Sequence, residues 1–194
     1  MNDRLNAWSR FEYRDPEVVL RELRAVERET AALDLDDKVR RLRTGDLKYV
    51  RGFRDAALFT HGLATATGRK VYFAPVEDQD YDFVTAWQVG DHRHFCPVQL
   101  KEVPPADLNA STSLEGVLRS LDRYSATDTV LAVLLNQAGT LALDRVAELR
   151  IRFSQVWLFW CASADHESWV IEGDVLATPA RYSFCYPGSG AGAA

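Results

Sequence analysis

At 194 residues the chain is long enough for one well-cored domain and an extension. Its 47% hydrophobic and 26% charged residues exclude a disordered polymer. The net charge of −5 does not advertise a nucleic-acid binder. The longest apolar run, residues 156–162, falls far short of the ~20 residues of a membrane span. The first fifteen residues carry charges of both signs and no apolar core, so no leader is expected and the expected location is cytoplasmic.

The hydrophobic period is 3.6 at first. Asp15, Pro16 and Glu17 form a helix start, with a capping acid, a proline at the first helical position and an acid in the first turn. Val19, Leu23 and Val26 follow on one face. A second helix is expected from about Asp36, with Leu35, Val39 and Leu42 in phase and Gly45 as its stop. Both read as an N-terminal helical extension, residues 1–50, packed on a core of residues 51–186. A third helix, 52–67, turns Phe53, Ala56, Ala57, Phe59 and Leu63 inward and ends at Gly68.

The period then changes to 2. "KVYFAPV", "YDFVTAWQV" and "HFCPVQLKEV" read as three strands, the last two joined by a turn within Gly90, Asp91, His92 and Arg93. Thr112 with Glu115 reads as a capping box, opening a helix whose stripe is Leu114, Val117, Leu118 and Leu121. "TVLAVLL" and "QVWLFWCA" are continuously apolar strands, buried on both faces, with a short helix between them near Asp144 to Arg150. A hairpin over 168–186 and a flexible tail, 187–194, complete the chain. The expected fold is α/β, a mixed central β-sheet flanked by helices. No GxGxxG follows a strand and no GxxxxGK[ST] occurs, so a doubly wound nucleotide-binding fold is excluded.

The second and third strands carry the chemistry. With Gly90 and Asp91 as a two-residue loop, Asp82 sits opposite Gln99. With a loop from Gly90 to Arg93, Asp82 faces Lys101 instead. A three-residue loop or a bulge would spoil either register. Gln99 and Lys101 are two apart and share a face, while Val98 and Leu100 point into the core. Asp82, Gln99 and Lys101 therefore converge. A carboxylate and an amide oxygen are hard ligands suited to Mg²⁺ (or Mn²⁺), and a lysine beside the metal can orient a water and offset charge on a phosphate.

This D-x16-QxK arrangement, set in a helix–meander–helix–strand order from Arg51 to Ala162, resembles the PD-(D/E)XK nuclease superfamily. The resemblance implies a restriction-endonuclease-like core and Mg²⁺-dependent cleavage of nucleic acid, with DNA as the expected partner. Asp82 would match the first acid, and Gln99 and Lys101 the terminal acid-x-lysine pair, with Asp82 and Gln99 holding the metal. Glutamine at that position occurs in some branches; it removes one negative charge from the metal, for which Glu77, Asp78 or Asp80 could compensate. Tyr81 stands where the motif has its proline, and Asp55 is the one acid on the preceding helix. Arg119, Arg123 and Tyr124 lie on the helix that commonly contacts nucleic acid, although solvated surface charge is the simpler reading. A catalytically inactive binding module of the same fold is the alternative. The N-terminal helices are candidates for covering the site, gripping nucleic acid or pairing two copies as a homodimer.

Other features have plainer readings. Seven cations from Lys38 to Arg54 face Asp46 alone, and four acids follow in "EDQDYD". Such a run could hold phosphates beside a metal, but a solvated helix face and an acidic loop explain it as simply. His92 and His94 form an HxH without an evident third ligand. His61 could face the sheet and the site, or serve as an ordinary helix histidine. Glu102 should form a salt bridge on the face opposite Lys101. Cys96, Cys161 and Cys185 read as small buried thiols, and Trp157, Phe159 and Trp160 as core.

Overall fold

Asp15 caps the first long helix by accepting from the Glu17 N–H at 3.0 Å, with Pro16 in the first turn. This is α2, Pro16–Thr30, and α1, Asn2–Trp8, precedes it. The computed structural model describes residues 2–76, 78–121, 126–137, 149 and 151–188. The buried face of α2 is Val19, Leu20 and Leu23, while Val26 stands 55% exposed. The second helix is shorter than its periodicity suggests. α3 spans Asp37–Arg40; Leu42 then takes φ 54°, and Arg43 turns away to reach Glu102. A 3-10 turn, Gly45–Leu47, leads directly into α4, Lys48–Thr67. Gly68 ends α4 at φ 64°, the left-handed cap that glycine adopts without strain.

Seven strands form one sheet in chain order: β1 Val71–Pro75, β2 Phe83–Val89, β3 His92–Val103, β4 Ala126–Leu135, β5 Phe153–Cys161, β6 Ser168–Gly173 and β7 Ala180–Cys185. The first three form an antiparallel meander, β3, β4 and β5 run parallel, and β6 and β7 return antiparallel. The sheet is therefore mixed, as the sequence implies. α5, Ala106–Asn109, and α6, Leu114–Ser120, connect β3 to β4. Ser113, not Thr112, caps α6, accepting from the Gly116 N–H at 3.1 Å. The helix expected near Asp144 to Arg150 lies outside the described residues but for Leu149, as does most of the tail.

Each face of the sheet is buried. On one, Leu20 and Phe59 pack with Phe73, Phe83, Val98, Ala132, Phe159 and Ile171. On the other, Leu118 of α6 and Leu121, which caps its C-terminus, meet Val103, Leu131, Val133, Val156 and Leu158. β4 is central, and its run of apolar residues is needed because both faces are covered. Trp157 and Phe159 are core; Trp160 is half-buried beneath the Arg181 guanidinium, 5.3 Å from its ring centre. The thiols are free, but only half-buried at Cys96 and Cys161 and exposed at Cys185, on the outer strand. Burial pushes the Cys96 thiol up to about 11. Among the described residues no helix is long and apolar enough to cross a membrane.

Candidate functional site

β2 and β3 diverge at the start of β2. Gly90 takes φ 57° at the first position of a two-residue turn, which makes the shorter loop the correct one. Its register pairs Phe83 with Val98, and the ladder closes on a hydrogen bond from the Asp82 N–H to the Val98 carbonyl at 2.9 Å. Beyond this point β3 runs on to Val103, paired with β4 alone. The edge of residues 99–103 is open to the loop before β2. The Leu100 N–H, directed to that edge, donates to Asp82 Oδ2 at 2.6 Å. A side chain replaces a ladder partner here.

Gln99 is 5% exposed, and its Nε2–H donates to the same Asp82 oxygen. Strand alternation places Gln99 and Lys101 on the face of Leu131 and Val133, their partners on β4. Val98 and Leu100 enter the opposite core. Asp82 and Gln99 are thus in contact. Asp82 and Lys101 line one cleft of about 780 Å³, which Gln99 does not line.

Lys48, Tyr49 and Arg51, from the first turns of α4, form the facing wall. They come from the basic run of the sequence, which is thus not merely a solvated face. Asp78 also lines the cleft. Glu77 falls outside the described residues, and Asp80 is exposed without lining the cleft. Tyr81, in the place of the motif's proline, is buried; the Trp8 indole N–H donates to its hydroxyl at 3.0 Å. α1, for which the sequence carried no clear periodic signal, therefore holds the residue next to Asp82.

Two acids deepen the cleft without being free for chemistry. Asp55 on α4 is 4% exposed and pairs with Arg54 at 3.1 Å. Burial raises its carboxyl above the ordinary range, against the opposing charge of Arg54. Glu102 accepts from Arg43 at both oxygens, the Nη1 contact at 2.9 Å, and from Asn136 Nδ2 at 2.7 Å. Burial alone would raise its carboxyl, but Arg43, Asn136 and Arg51 together hold it below the usual range. The expected salt bridge on the far side of Lys101 is this Arg43–Glu102 pair.

The other candidates lie elsewhere. The His61 Nε2 is 3.1 Å from the Cys185 carbonyl and its Nδ1 3.8 Å from Glu17, so the ring faces β7 and α2 instead of the site. Burial lowers its pKa although Cys185 and Glu17 oppose this. His94 stacks on Trp87, with centroids 5.5 Å apart. Arg119 is exposed and pairs with Glu115 at 2.6 Å along its own helix; Arg123 and Tyr124 lie outside the described residues.

The donor set can be tested against a divalent cation. Among the described residues no three His, Cys, Asp or Glu side chains group as a metal site. Asp82 and Gln99 nevertheless place a carboxylate and an amide in contact, and no described residue hydrogen-bonds to Asp82 Oδ1. A half-turn of the Gln99 amide exchanges its NH₂ for its oxygen in place. Two oxygen donors and several waters are an ordinary Mg²⁺ shell. No protein-family model, curated protein or solved structure matches the chain.

Proposed function

We propose that the protein is a Mg²⁺- or Mn²⁺-dependent nuclease with a restriction-endonuclease-like core, hydrolysing phosphodiester bonds of nucleic acid, with DNA as the expected substrate. The observation that carries this reading is the contact of Asp82 with Gln99 at the open edge of β3, with Lys101 two residues on and lining the cleft with Asp82. The order of helix, antiparallel meander, helix and parallel strand supports it further. Asp82 and Gln99 hold the metal, which when bound supplies Lewis acidity and lowers the pKa of a coordinated water. Lys101 orients the attacking water and offsets charge on the phosphoryl oxygens. Lys48 and Arg51 neutralise neighbouring phosphates across the cleft.

The test is cleavage of plasmid and single-stranded DNA in Mg²⁺ and Mn²⁺. Wild-type protein is expected to cut at least one substrate, and Lys101→Ala to lose about 10²–10³-fold in rate. Equal behaviour of the two proteins would overturn the assignment.

One observation favours a second reading, a noncatalytic binding module. Asp82 Oδ2 already closes the β3 edge through Gln99 and Leu100, a structural use that needs no metal. Calorimetric titration separates the readings: the module takes up no Mg²⁺ or Mn²⁺ at millimolar concentration.

A further inference from the structure

A second cleft, of about 480 Å³, is lined by five arginines: Arg24, Arg40, Arg41, Arg43 and Arg54. One carboxylate, Glu27, lines it with them. It lies where Pro105 follows β3, Asn136 follows β4 and His166 follows β5. That is the carboxyl end of the three parallel strands, the region where open α/β sheets bind ligands. We infer that this cleft is a binding site for a small phosphorylated molecule of nucleotide size, independent of the cleavage reading.

Arg41, Arg43 and Arg54 pair with acids outside the cleft, whereas Arg24 also pairs at 3.1 Å with Glu27, which lines it. Arg43 grips Glu102 and Arg54 grips Asp55, both acids belonging to the neighbouring cleft. Arg41 pairs with Asp107 at 2.6 Å, and Arg24 reaches Glu167 at 3.5 Å; neither acid lines the cleft. The carboxylates of Glu102 and Asp55 fix the guanidinium planes of Arg43 and Arg54, each of which carries five N–H donors. Arg40 donates to the Leu33 carbonyl at 3.1 Å and has no carboxylate partner among the described residues. Arg24 supplies a separate observation. Its guanidinium stacks 4.0 Å from the Tyr186 ring centre, yet its Nε–H is buried with no acceptor among the described residues. A buried donor without an acceptor is costly. The adjoining Glu167 holds a buried oxygen that is likewise without a donor among the described residues, so hydrogen bonding at this wall of the cleft is incomplete.

Arginine suits this ligand, because its planar fork matches a phosphate bidentately and carries charge at every working pH. The volume falls within the ~300–1,000 Å³ of small-molecule pockets and exceeds the need of a simple ion. The lining aromatics Trp169 and Tyr186 are 5% and 3% exposed. They form a floor, not a stacking platform, so recognition rests on the phosphates.

The experiment is calorimetric titration of the full chain with pyrophosphate, ATP and AMP, in EDTA so that no metal contributes. One saturable site is expected, with pyrophosphate and ATP bound about tenfold more tightly than AMP because they engage more guanidinium groups. Arg40→Gln and Arg41→Gln, both at exposed positions, should keep the wild-type melting temperature and each weaken ATP about tenfold. Arg40→Lys should fall between, keeping the charge and losing the fork. Lys101→Ala should bind as wild type. Absence of saturable binding up to about 5 mM, indifference to both glutamine variants, or loss on Lys101→Ala would each overturn the assignment. Cleavage and phosphate binding are read separately, so either can fail alone.

Discussion

Under the proposed cleavage reading, Asp82 does two things with one carboxylate. One oxygen closes the β3 edge through Gln99 and Leu100. The proposed cation would be met by the other and, once its amide had turned, by the Gln99 oxygen, with the Leu100 N–H still holding the first. The Leu100 N–H bond keeps this exposed acid in a single orientation, the preorganisation that the proposed metal site would need. Glu102, three residues beyond Gln99, is used only for structure. Its carboxyl ordinarily titrates at 4.5 and is held lower in the fold, against the effect of burial, by Arg43, Asn136 and Arg51. A depressed carboxylate adds stability that is fully present above its unfolded value and is lost as pH falls through the folded one. The urea midpoint of wild-type protein should therefore exceed that of Glu102→Gln near pH 6. The gap should narrow steadily below about pH 4.5; a constant gap would mean that the ion pair contributes nothing through its charge.

Elements position the site by indirect contacts. α1 reaches it through Trp8, whose indole N–H ends on the buried Tyr81 hydroxyl. Trp8→Phe retains most of the ring and leaves that hydroxyl without its donor, so a loss of about 1 kcal/mol is expected in urea unfolding. β5 and β6 meet just as closely elsewhere. A Cβ on Gly173 would overlap the Trp157 ring, and both groups are in the sheet. Gly173→Ala should cost about 1–3 kcal/mol by overpacking, measured as a lower urea midpoint with an unchanged slope. The N-terminal helices are likewise part of the packing: Val19 and Leu20 of α2 join the same cluster as Phe59 of α4 and Ile171 of β6.

The molecule as a whole is organised around β4, with a parallel neighbour on each side and a helical layer on each face. Leu131, Ala132 and Val133 are fully buried. Their amides should exchange with deuterium only through global unfolding, whereas those of α3 and the 3-10 turn before α4, with no fully buried side chain among the described residues, should exchange by local opening. Hydrogen-exchange mass spectrometry reads both. The free side of β1 is blunted by a two-way bridge between Arg14 and Phe73, at 2.8 and 3.1 Å, which limits edge-to-edge association. The two clefts are neighbours, one beside the last residues of β3 and the other at the carboxyl ends of the three parallel strands, separated by the Arg43–Glu102 and Arg54–Asp55 pairs.

Much of this was legible in the chain. The change of period from 3.6 to 2, the Asp15–Pro16 start, the Gly68 stop and the unbroken apolar runs of β4 and β5 are local signals, and local backbone and burial preferences are enough to read them. Alternation alone put Gln99 and Lys101 on one face and Glu102 on the other. The hairpin left two registers open, and the left-handed Gly90 selected the one that sets Asp82 against Gln99. What the sequence could not settle depended on groups distant along the chain. The α3 periodicity yields to Arg43 reaching Glu102 across 59 residues. Trp8 finds Tyr81 across 73, and arginines from α2, α3, the turn after it and α4 gather at one cleft. Charge and hydrogen bonding act through space, so their partners are decided only when the sheet has brought the segments together.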